Sequence, residues 1–148
     1  MKLSLDIEIK GPKEKVWKVI TDIENSVNTI SGIDKIEILN NPKEALVGLK
    51  WKETRTIFGK SSTETMWITE ASDNNYYKTR AESNGAMYQT ILKLSEKENT
   101  TILKMEFSTE AISLKGKILA FIFGRMVHKS MKKLIENDLT DIKTTVEK

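Results

Sequence analysis

Residues 114–143 read LKGKILAFIFGRMVHKSMKKLIENDLTDIK, and this stretch decides the fold. Its apolar residues recur at the spacing of an amphipathic helix, which predicts one long helix beginning near Leu114. Such a helix must cover its apolar side with another layer of structure. The positions that fall along that side are Ile118, Ile122, Met126, Met131, Leu134, Ile135, Asp138 and Ile142, and Leu119, Phe123 and Val127 widen it in the first half.

The chain before this helix alternates between apolar and polar residues, as β-strands do. Leu3, Leu5, Ile7 and Ile9 predict a first strand, which Gly11-Pro12 stops. Helical spacing follows in 13–23, and a second short helix is predicted for 24–30. Strands then continue from 33 to 109, and the predicted turns between them are Asn40-Asn41-Pro42, Gly59-Lys60, Ser72-Asp73-Asn74-Asn75, Asn84-Gly85 and Glu96-Lys97-Glu98-Asn99.

This order of elements predicts an α+β fold in which a curved antiparallel sheet receives the long helix on its concave face. A helix laid across a curved sheet tends to leave a space between the two layers. We therefore expect a shell that holds a ligand, although the order of elements does not name that ligand.

The size and composition of the chain limit the functions it can have. With 148 residues, the chain suits one domain over 1–148. Hydrophobic residues make up 39% and charged residues 30%, which is typical of a soluble globular protein. The net charge is +3 with both signs interspersed, so we expect no nucleic-acid partner. The absence of cysteine excludes disulfides, thiolate catalysis and cysteine metal sites.

Targeting segments are not expected either. Residues 1–6 alternate instead of forming an apolar run, so we predict no signal peptide. The most apolar stretch, 118–123, is far shorter than the ~20 residues that cross a bilayer. We therefore expect a cytoplasmic protein.

The sharpest polar cluster lies in two predicted neighbouring strands. If Gly59-Lys60 is a two-residue turn, Arg55 pairs with Glu64, Glu53 with Met66, Trp51 with Ile68 and Phe58 with Ser61. Three charged side chains then share a face with Trp51 and Met66. Because a buried unpaired charge is costly, Arg55 should bridge Glu53 and Glu64 or hold a ligand carboxylate. A structural ion pair in solvent at the open end of the sheet is the alternative.

Three motifs resemble one family. They are Ile9-x-x-Pro12-x-x-x-Val16-Trp17-x-x-Ile20-x-Asp22, then Gly48-x-x-x-x-Glu53-x-Arg55, and the ending 134–143. Together they resemble the START-like, Bet v 1-like superfamily, and within it the polyketide cyclase/dehydrase and lipid transport group. The resemblance covers essentially the whole chain. It implies a seven-stranded antiparallel sheet gripping a long C-terminal helix, with two short helices after strand 1.

The resemblance also implies a cavity for a small hydrophobic or amphipathic molecule. Family members include lipid carriers, hormone receptors, aromatase/cyclases and co-chaperone-like proteins, and they share no catalytic set. We therefore assign no catalytic residue, cofactor or metal. The predicted ligand-binding residues, each of which could instead be ordinary core, are Trp51, Glu53, Arg55, Glu64, Met66, Tyr77, Thr79, Tyr88, Thr90, Met105, Phe107, Phe123 and Met126.

Three functions follow from this interpretation. The first is a carrier or sequestering protein for a lipid, isoprenoid or polyketide-like ligand. The second is a cyclase/dehydrase in which Tyr77 and Tyr88, with Arg55, polarise a ketone; either ring could instead be buried with its hydroxyl in water. The third is a co-chaperone-like interaction module, which predicts a narrow cavity and an exposed apolar patch.

Two further features lie on the long helix. His128, the only histidine, is expected on the surface, where a lone imidazole makes no usual metal site. The stretch from Lys115 to Phe123 combines basic and apolar residues. It could touch a membrane, form a dimer contact or be covered by loops. Oligomeric state is left open.

Overall fold

The computed structural model describes residues 1–57, 59–83 and 85–148, except for the side chains of 119–127. It confirms the predicted α+β order. The strands are β1 (Lys2–Lys10), β2 (Ile33–Asn40), β3 (Lys50–Ile57), β4 (Lys60–Ser72), β5 (Tyr76–Ser83), β6 (Ala86–Lys97) and β7 (Thr100–Ala111), and the helices are α1 (Lys13–Thr21), α2 (Ser26–Thr29) and α3 (Leu114–Glu147). A short 3₁₀ helix, Ile23–Asn25, precedes α2.

One antiparallel sheet contains all these strands in the order β1-β7-β6-β5-β4-β3-β2. Consecutive strands pair from β2 to β7, whereas β1 crosses over to pair with β7. The two short helices fill that crossover, and α3 packs against β1, β7 and α1. The seven-stranded sheet with a long C-terminal helix, implied by the family resemblance, is therefore confirmed.

The short helices form where their sequence allows. Pro12 directly precedes the first residue of α1, where its missing N–H leaves no helical hydrogen bond unmade. Val16 and Ile20, one turn apart on the inner side of α1, are buried. The single second helix predicted for 24–30 is divided into the 3₁₀ turn and α2.

The predicted register of the β3–β4 hairpin is wrong by two residues. Lys60 pairs with Ile57 and is a strand residue rather than a turn residue, while Gly59 has a φ of +75°. Glu53 therefore pairs with Glu64, Trp51 with Met66 and Arg55 with Ser62. Ser61 pairs with Thr56, and Phe58 lies outside the described residues.

The error leaves the predicted face intact, because side chains alternate with a period of two and a slip of two restores the same side. Trp51, Glu53, Arg55, Glu64 and Met66 share one face of the sheet, as predicted.

The β5–β6 hairpin is fastened to the start of α3. Ser83 pairs with Ala86, and the Gly85 carbonyl accepts hydrogen bonds from the backbone N–H groups of Ile112 (2.8 Å) and Ser113 (3.2 Å). The Ser113 hydroxyl in turn caps α3 by accepting from the Gly116 N–H at 3.1 Å. The other member of the predicted Asn84-Gly85 turn, Asn84, lies outside the described residues.

The inner side of α3 is predicted correctly in its second half and wrongly at its start. Ile135, Asp138 and Ile142 are buried, but Ile118 is 53% exposed. The reason is the close approach of the Gly85 hairpin, which turns buried Gly116 inward. Ile118 lies about 200° around the axis from Gly116 and so points away. The predictions for Leu119, Ile122, Phe123, Met126 and Val127 fall on side chains outside the described set.

The solid core lies beneath the second half of α3. Its most completely buried apolar side chains come from β1, α1, β4, β7 and α3, and they are Ile9, Val16, Ile68, Leu103, Ile135 and Val146. Among the helices as described, none is long and apolar enough to cross a membrane.

Candidate ligand-binding site

An ionic triad joins the sheet to the long helix. The Arg55 Nε donates to a carboxylate oxygen of Glu53 at 2.7 Å, within β3. The Arg55 Nη1 and Nη2 donate to the two carboxylate oxygens of Asp138 on α3, at 3.1 Å and 2.9 Å. Residues 53 and 55 point to the same face because strand side chains alternate. The triad therefore shows that this face of β3 is the one α3 covers.

The triad is largely removed from solvent. The side chains of Arg55 and Glu53 are each 14% exposed and that of Asp138 is 7% exposed, so the alternative of an ion pair bathed in solvent is wrong. Burial by itself lowers the pKa of Arg55, but the charges of Asp138 and Glu53 outweigh it and hold the pKa above its ordinary value. Burial raises the pKa of Asp138, and the guanidinium opposes that shift.

The triad is supported on both sides. Toward the core, the Trp51 indole N–H donates to Glu53 at 3.4 Å. Toward the loop before β2, a Cβ built on Gly32 would lie 3.0 Å from the Arg55 Nη1, so the loop backbone rests directly on the guanidinium. Ser31 fastens the same loop to α3, since its N–H and hydroxyl donate to Asp141 at 2.8 Å and 2.7 Å.

Glu64 was predicted as the second partner of Arg55, but it is not part of the triad. The Arg55–Glu53 contact is confirmed, but Asp138 takes the place expected for Glu64. Glu64 lies opposite Glu53 across the β3–β4 ladder. Burial raises its pKa, the Ser83 hydroxyl opposes that shift and the Glu53 charge adds to it. The sequence offered one signal for Asp138: it is an acidic residue within an otherwise apolar helix stripe.

Tyr77 has a structural role in the fold. Its ring is 4% exposed, and its hydroxyl donates to the Ile20 carbonyl, at the end of α1, at 2.9 Å. The Trp17 ring packs against it edge-on, with centroids 6.0 Å apart. Burial, followed by the Glu53 charge, raises the Tyr77 pKa well above its ordinary value. Because the hydroxyl proton is already donated, the predicted role of Tyr77 as a donor to a ligand carbonyl finds no support here.

Tyr88 differs from Tyr77 in its burial and in the packing of its ring. Its ring is half-buried and stacks on Phe107, with centroids 6.1 Å apart and planes 27° apart. Burial raises its pKa, and the nearby Glu64 charge adds to that effect. Tyr88 and Glu64 lie on the same face of the sheet, because Tyr88 pairs with Ala81, Ala81 pairs with Met66, and Glu64 and Met66 are two residues apart on β4.

The remaining predicted residues divide by burial. Those that are buried are Trp51, Thr79, Met105 and Phe107, and those that are half-buried are Met66 and Thr90. Phe123 and Met126 lie among the side chains that are not described.

Two open clefts lie at the edges of the described structure. The larger, about 450 Å³, runs between α3 and the end of β3 and has Arg55, Ile57, Lys133, Leu134 and Asp138 in its walls. The smaller, about 330 Å³, lies between the end of α1 and the 41–46 loop. Arg55 and Asp138 form part of the wall of the larger cleft, and Glu53, the third member of the triad, connects them to Trp51.

The described residues contain no group of three or more His, Asp or Glu side chains arranged to hold a metal ion. His128 is exposed, as predicted.

The sequence model of the family described as "Polyketide cyclase / dehydrase and lipid transport" matches residues 1–147. The chain belongs to this family, which confirms the resemblance seen in its motifs.

Solved structures share the fold at low sequence identity. A Thermus thermophilus protein, TTHA0849, superposes with a TM-score of 0.83 at 15% identity, over 99% of this chain and 97% of that one. A START superfamily protein from Mycobacterium smegmatis gives 0.81 at 15% identity, over 99% and 97%. The Zhui aromatase/cyclase from a Streptomyces species gives 0.80 at 14% identity, over 99% and 93%. No curated protein sequence matches significantly.

Proposed function

We propose that this protein binds a small hydrophobic or amphipathic molecule between α3 and the sheet, as a carrier or sequestering protein. The observation that carries the proposal is uneven burial along one face of β6. Leu92 and Leu94 are 5% and 9% exposed, whereas Tyr88 and Thr90, nearer the Gly85 hairpin, are only half-buried. Since β6 has a strand on each side, a filled core would bury all four alike.

The chemistry of this region suits a varied apolar ligand. Met66, Tyr88 and Phe107 offer thioether and aromatic surface, and Thr90 adds a hydroxyl. Flexible methionine and flat aromatic side chains adapt to different apolar shapes. Burial of the ligand's apolar surface would drive binding at roughly 25 cal/mol per Å², before the costs of association.

The polar end of the ligand would meet Tyr88 and Glu64 rather than Arg55. A ligand carboxylate could reach the Arg55 guanidinium only by displacing Asp138 from two hydrogen bonds. A hydroxyl or carbonyl group, in contrast, can exchange hydrogen bonds with the phenol and carboxyl that line the half-buried region. We therefore favour a ligand with a neutral polar end.

Access to the space would lie on the Gly59 side. The Gly85 hairpin is fastened to α3 by two backbone hydrogen bonds, whereas Gly59 has no atom within 4 Å of a built Cβ. The larger cleft opens on the Gly59 side, beside Ile57.

The first experiment is to denature the purified protein and identify the released small molecules by mass spectrometry. A stoichiometric lipid, isoprenoid or polyketide-like compound is the expected result. Binding of anilinonaphthalene sulfonate then provides a titration for Thr90→Phe, which should fill the space and weaken binding at least about tenfold. Gln89→Phe, one residue away on the opposite face, is the matched control. An empty protein that also fails to bind the probe would contradict the proposal, as would equal losses in the two variants.

A second candidate is catalysis of the cyclase/dehydrase type in the same space. The observation that favours it is that Glu64, a carboxyl whose pKa is raised by burial, shares a face of the sheet with Tyr88 and contributes to the raised pKa of that phenol. Such a carboxyl can exchange a proton with a bound ketone or enol while the phenol polarises its oxygen. If Glu64→Gln and Tyr88→Phe retain the ligand but stop its conversion, the enzyme interpretation is supported. Unchanged conversion in both variants would eliminate it.

A further inference from the structure

The first two-thirds of α3 carries an unbalanced charge. Between Ser113 and Ile135 the sequence has six Lys or Arg residues and no Asp or Glu, although the chain as a whole has 24 basic and 21 acidic residues. The rest of the chain therefore contains more acidic than basic residues. These six residues are Lys115, Lys117, Arg125, Lys129, Lys132 and Lys133, and a one-sign run of this length on an amphipathic helix is typical of a surface for an anionic partner.

Exposed apolar side chains stand at the start of the same segment. Leu114 is 76% exposed, Ile112 is 56% exposed and Ile118 is 53% exposed. Leu114 and Ile118 are one helical turn apart, on the side opposite buried Gly116. Leu114 and Ile118 therefore form an apolar patch on the exposed side of α3, and exposed Ile112 lies two residues before its start.

Basic side chains border this patch on both sides. Helix geometry places Lys115 about 100° to one side of Leu114 and Lys117 about 60° to the other. Both lysines are exposed. The helix N-terminus lies at the same place and adds partial positive charge.

We propose that this end of α3 docks on the surface of an anionic lipid membrane. Apolar side chains would enter the boundary between headgroups and acyl chains, while the flanking lysines pair with lipid phosphates and carboxylates. The proposal goes beyond ligand binding and does not depend on the identity of the ligand.

Other occupants fit the patch less well. In a symmetric dimer built on this surface, each copy would bring its own acid-free basic segment against the other, and the like charges would repel. Nucleic acid would use the lysines but would leave Leu114 without a favourable contact. An anionic lipid surface satisfies the apolar and the basic side chains together.

The test is flotation of the full chain with two kinds of vesicle. One kind is phosphatidylcholine alone, and the other contains about a third phosphatidylserine. We expect binding to the anionic vesicles only, weakening as salt is raised. Lys115→Gln with Lys117→Gln should lower the partition coefficient about 25-fold, since each lysine near such a surface contributes about fivefold. Leu114→Ser with Ile118→Ser should lower it at least about tenfold.

Matched variants separate the patch from general effects. Leu39→Ser with Val47→Ser replaces two other exposed apolar side chains, at 44% and 45% exposure, and should leave vesicle binding unchanged. Lys52→Gln with Lys60→Gln is the corresponding charge control. Equal losses in the patch variants and these controls would overturn the proposal.

Three further outcomes would also overturn the proposal. They are the absence of vesicle binding, equal binding to both kinds of vesicle, and a concentration-dependent dimer in light scattering that Leu114→Ser with Ile118→Ser abolishes. Because flotation needs no bound ligand, failure here leaves the proposed function standing. A protein that releases no ligand and binds no probe, yet floats with anionic vesicles, would contradict the proposed function and leave the docking proposal standing.

Discussion

Arg55 and Asp138 face each other through two hydrogen bonds, 3.1 Å and 2.9 Å long, that join β3 to α3 across 83 residues of sequence. The paired geometry fixes the rotation of α3 as well as its position, because only one orientation of the helix presents both carboxylate oxygens to the guanidinium. The apolar neighbours Ile135, Leu139 and Ile142 are buried in that orientation. The ion pair therefore sets which side of α3 lies over the sheet.

The first prediction concerns removal of the Arg55 guanidinium. Arg55→Met would leave the carboxylates of Glu53 and Asp138 buried without a positive charge beside them, so we expect a loss of about 3 to 5 kcal/mol in the free energy of unfolding at neutral pH. The loss should shrink in acid, because burial raises the pKa of the Asp138 carboxyl and this group would then take up a proton in the folded state. Urea denaturation at several pH values measures it.

The control is Arg80→Met, which removes an exposed ion pair with Glu82 and should cost less than about 1 kcal/mol. A similar cost for both variants would mean that the Arg55 triad contributes no more than a surface pair.

The second prediction separates the two tyrosines. Tyr77→Phe leaves the buried Ile20 carbonyl without its donor, so the free energy of unfolding should fall by about 1 to 2 kcal/mol. Ligand affinity should stay unchanged. Tyr88→Phe should do the opposite: little change in stability and weaker binding of a ligand with a hydroxyl or carbonyl end. Thermal unfolding and ligand titration of both variants measure it, and a reversed pattern would place the ligand contact at Tyr77 instead.

Alternation and helical spacing were sufficient to predict the strands, the long helix and the face of β3 that carries Glu53 and Arg55. They could not fix the β3–β4 register, because Gly59 can occupy either position of a two-residue turn and both choices leave the same side chains on the same face. The partner of Arg55 lies on an element 83 residues away, and only the presence of Asp138 in an apolar stripe pointed to it.

Two other differences between the sequence prediction and the structure depend on how whole elements pack. The hydroxyl partner of Tyr77 is a backbone carbonyl whose position depends on how α1 rests against β5. Periodicity likewise placed Ile118 inside, whereas the close approach of Gly85 and Gly116 turns it outward. Neither tertiary contact has a signature in the local sequence.

The third prediction concerns pH. Burial raises the folded-state pKa of Glu64 above its ordinary value of 4.5, so the folded protein binds this proton more tightly than the unfolded chain does. The contribution of Glu64 to stability is therefore fully present below pH 4.5 and is lost as the pH rises through the folded-state pKa. Glu64→Gln should flatten this fall in the free energy of unfolding and make the protein more stable than the wild type at pH 7.

Glu70 provides a control of opposite sign. A hydrogen bond from Tyr76 lowers the pKa of Glu70, so its contribution is present above pH 4.5 and is lost as the pH falls through the folded-state value. Glu70→Gln should therefore change stability in the other direction. If Glu64→Gln and Glu70→Gln change the pH dependence of the free energy of unfolding in the same direction, the folded-state pKa of Glu64 is not raised by burial.

The fourth prediction tests the fastening of the β5–β6 hairpin to α3. Gly59 and Gly85 have nearly the same positive φ, +75° and +74°, so alanine should cost each position about 1 kcal/mol in backbone strain. A Cβ on Gly59 meets nothing within 4 Å, whereas a Cβ on Gly85 would collide with the Ser113 side chain. Gly85→Ala should therefore lower the free energy of unfolding by at least about 1 kcal/mol more than Gly59→Ala.

Hydrogen exchange provides the second measurement on these two variants. In Gly85→Ala, the amides of Ile112 and Ser113 should exchange faster, because displacement of the hairpin breaks their hydrogen bonds to the Gly85 carbonyl. In Gly59→Ala, those amides should keep their protection. If the two variants lose equal stability and protection, the hairpin and α3 are not fastened together, and access to the ligand space on the Gly85 side becomes as plausible as on the Gly59 side.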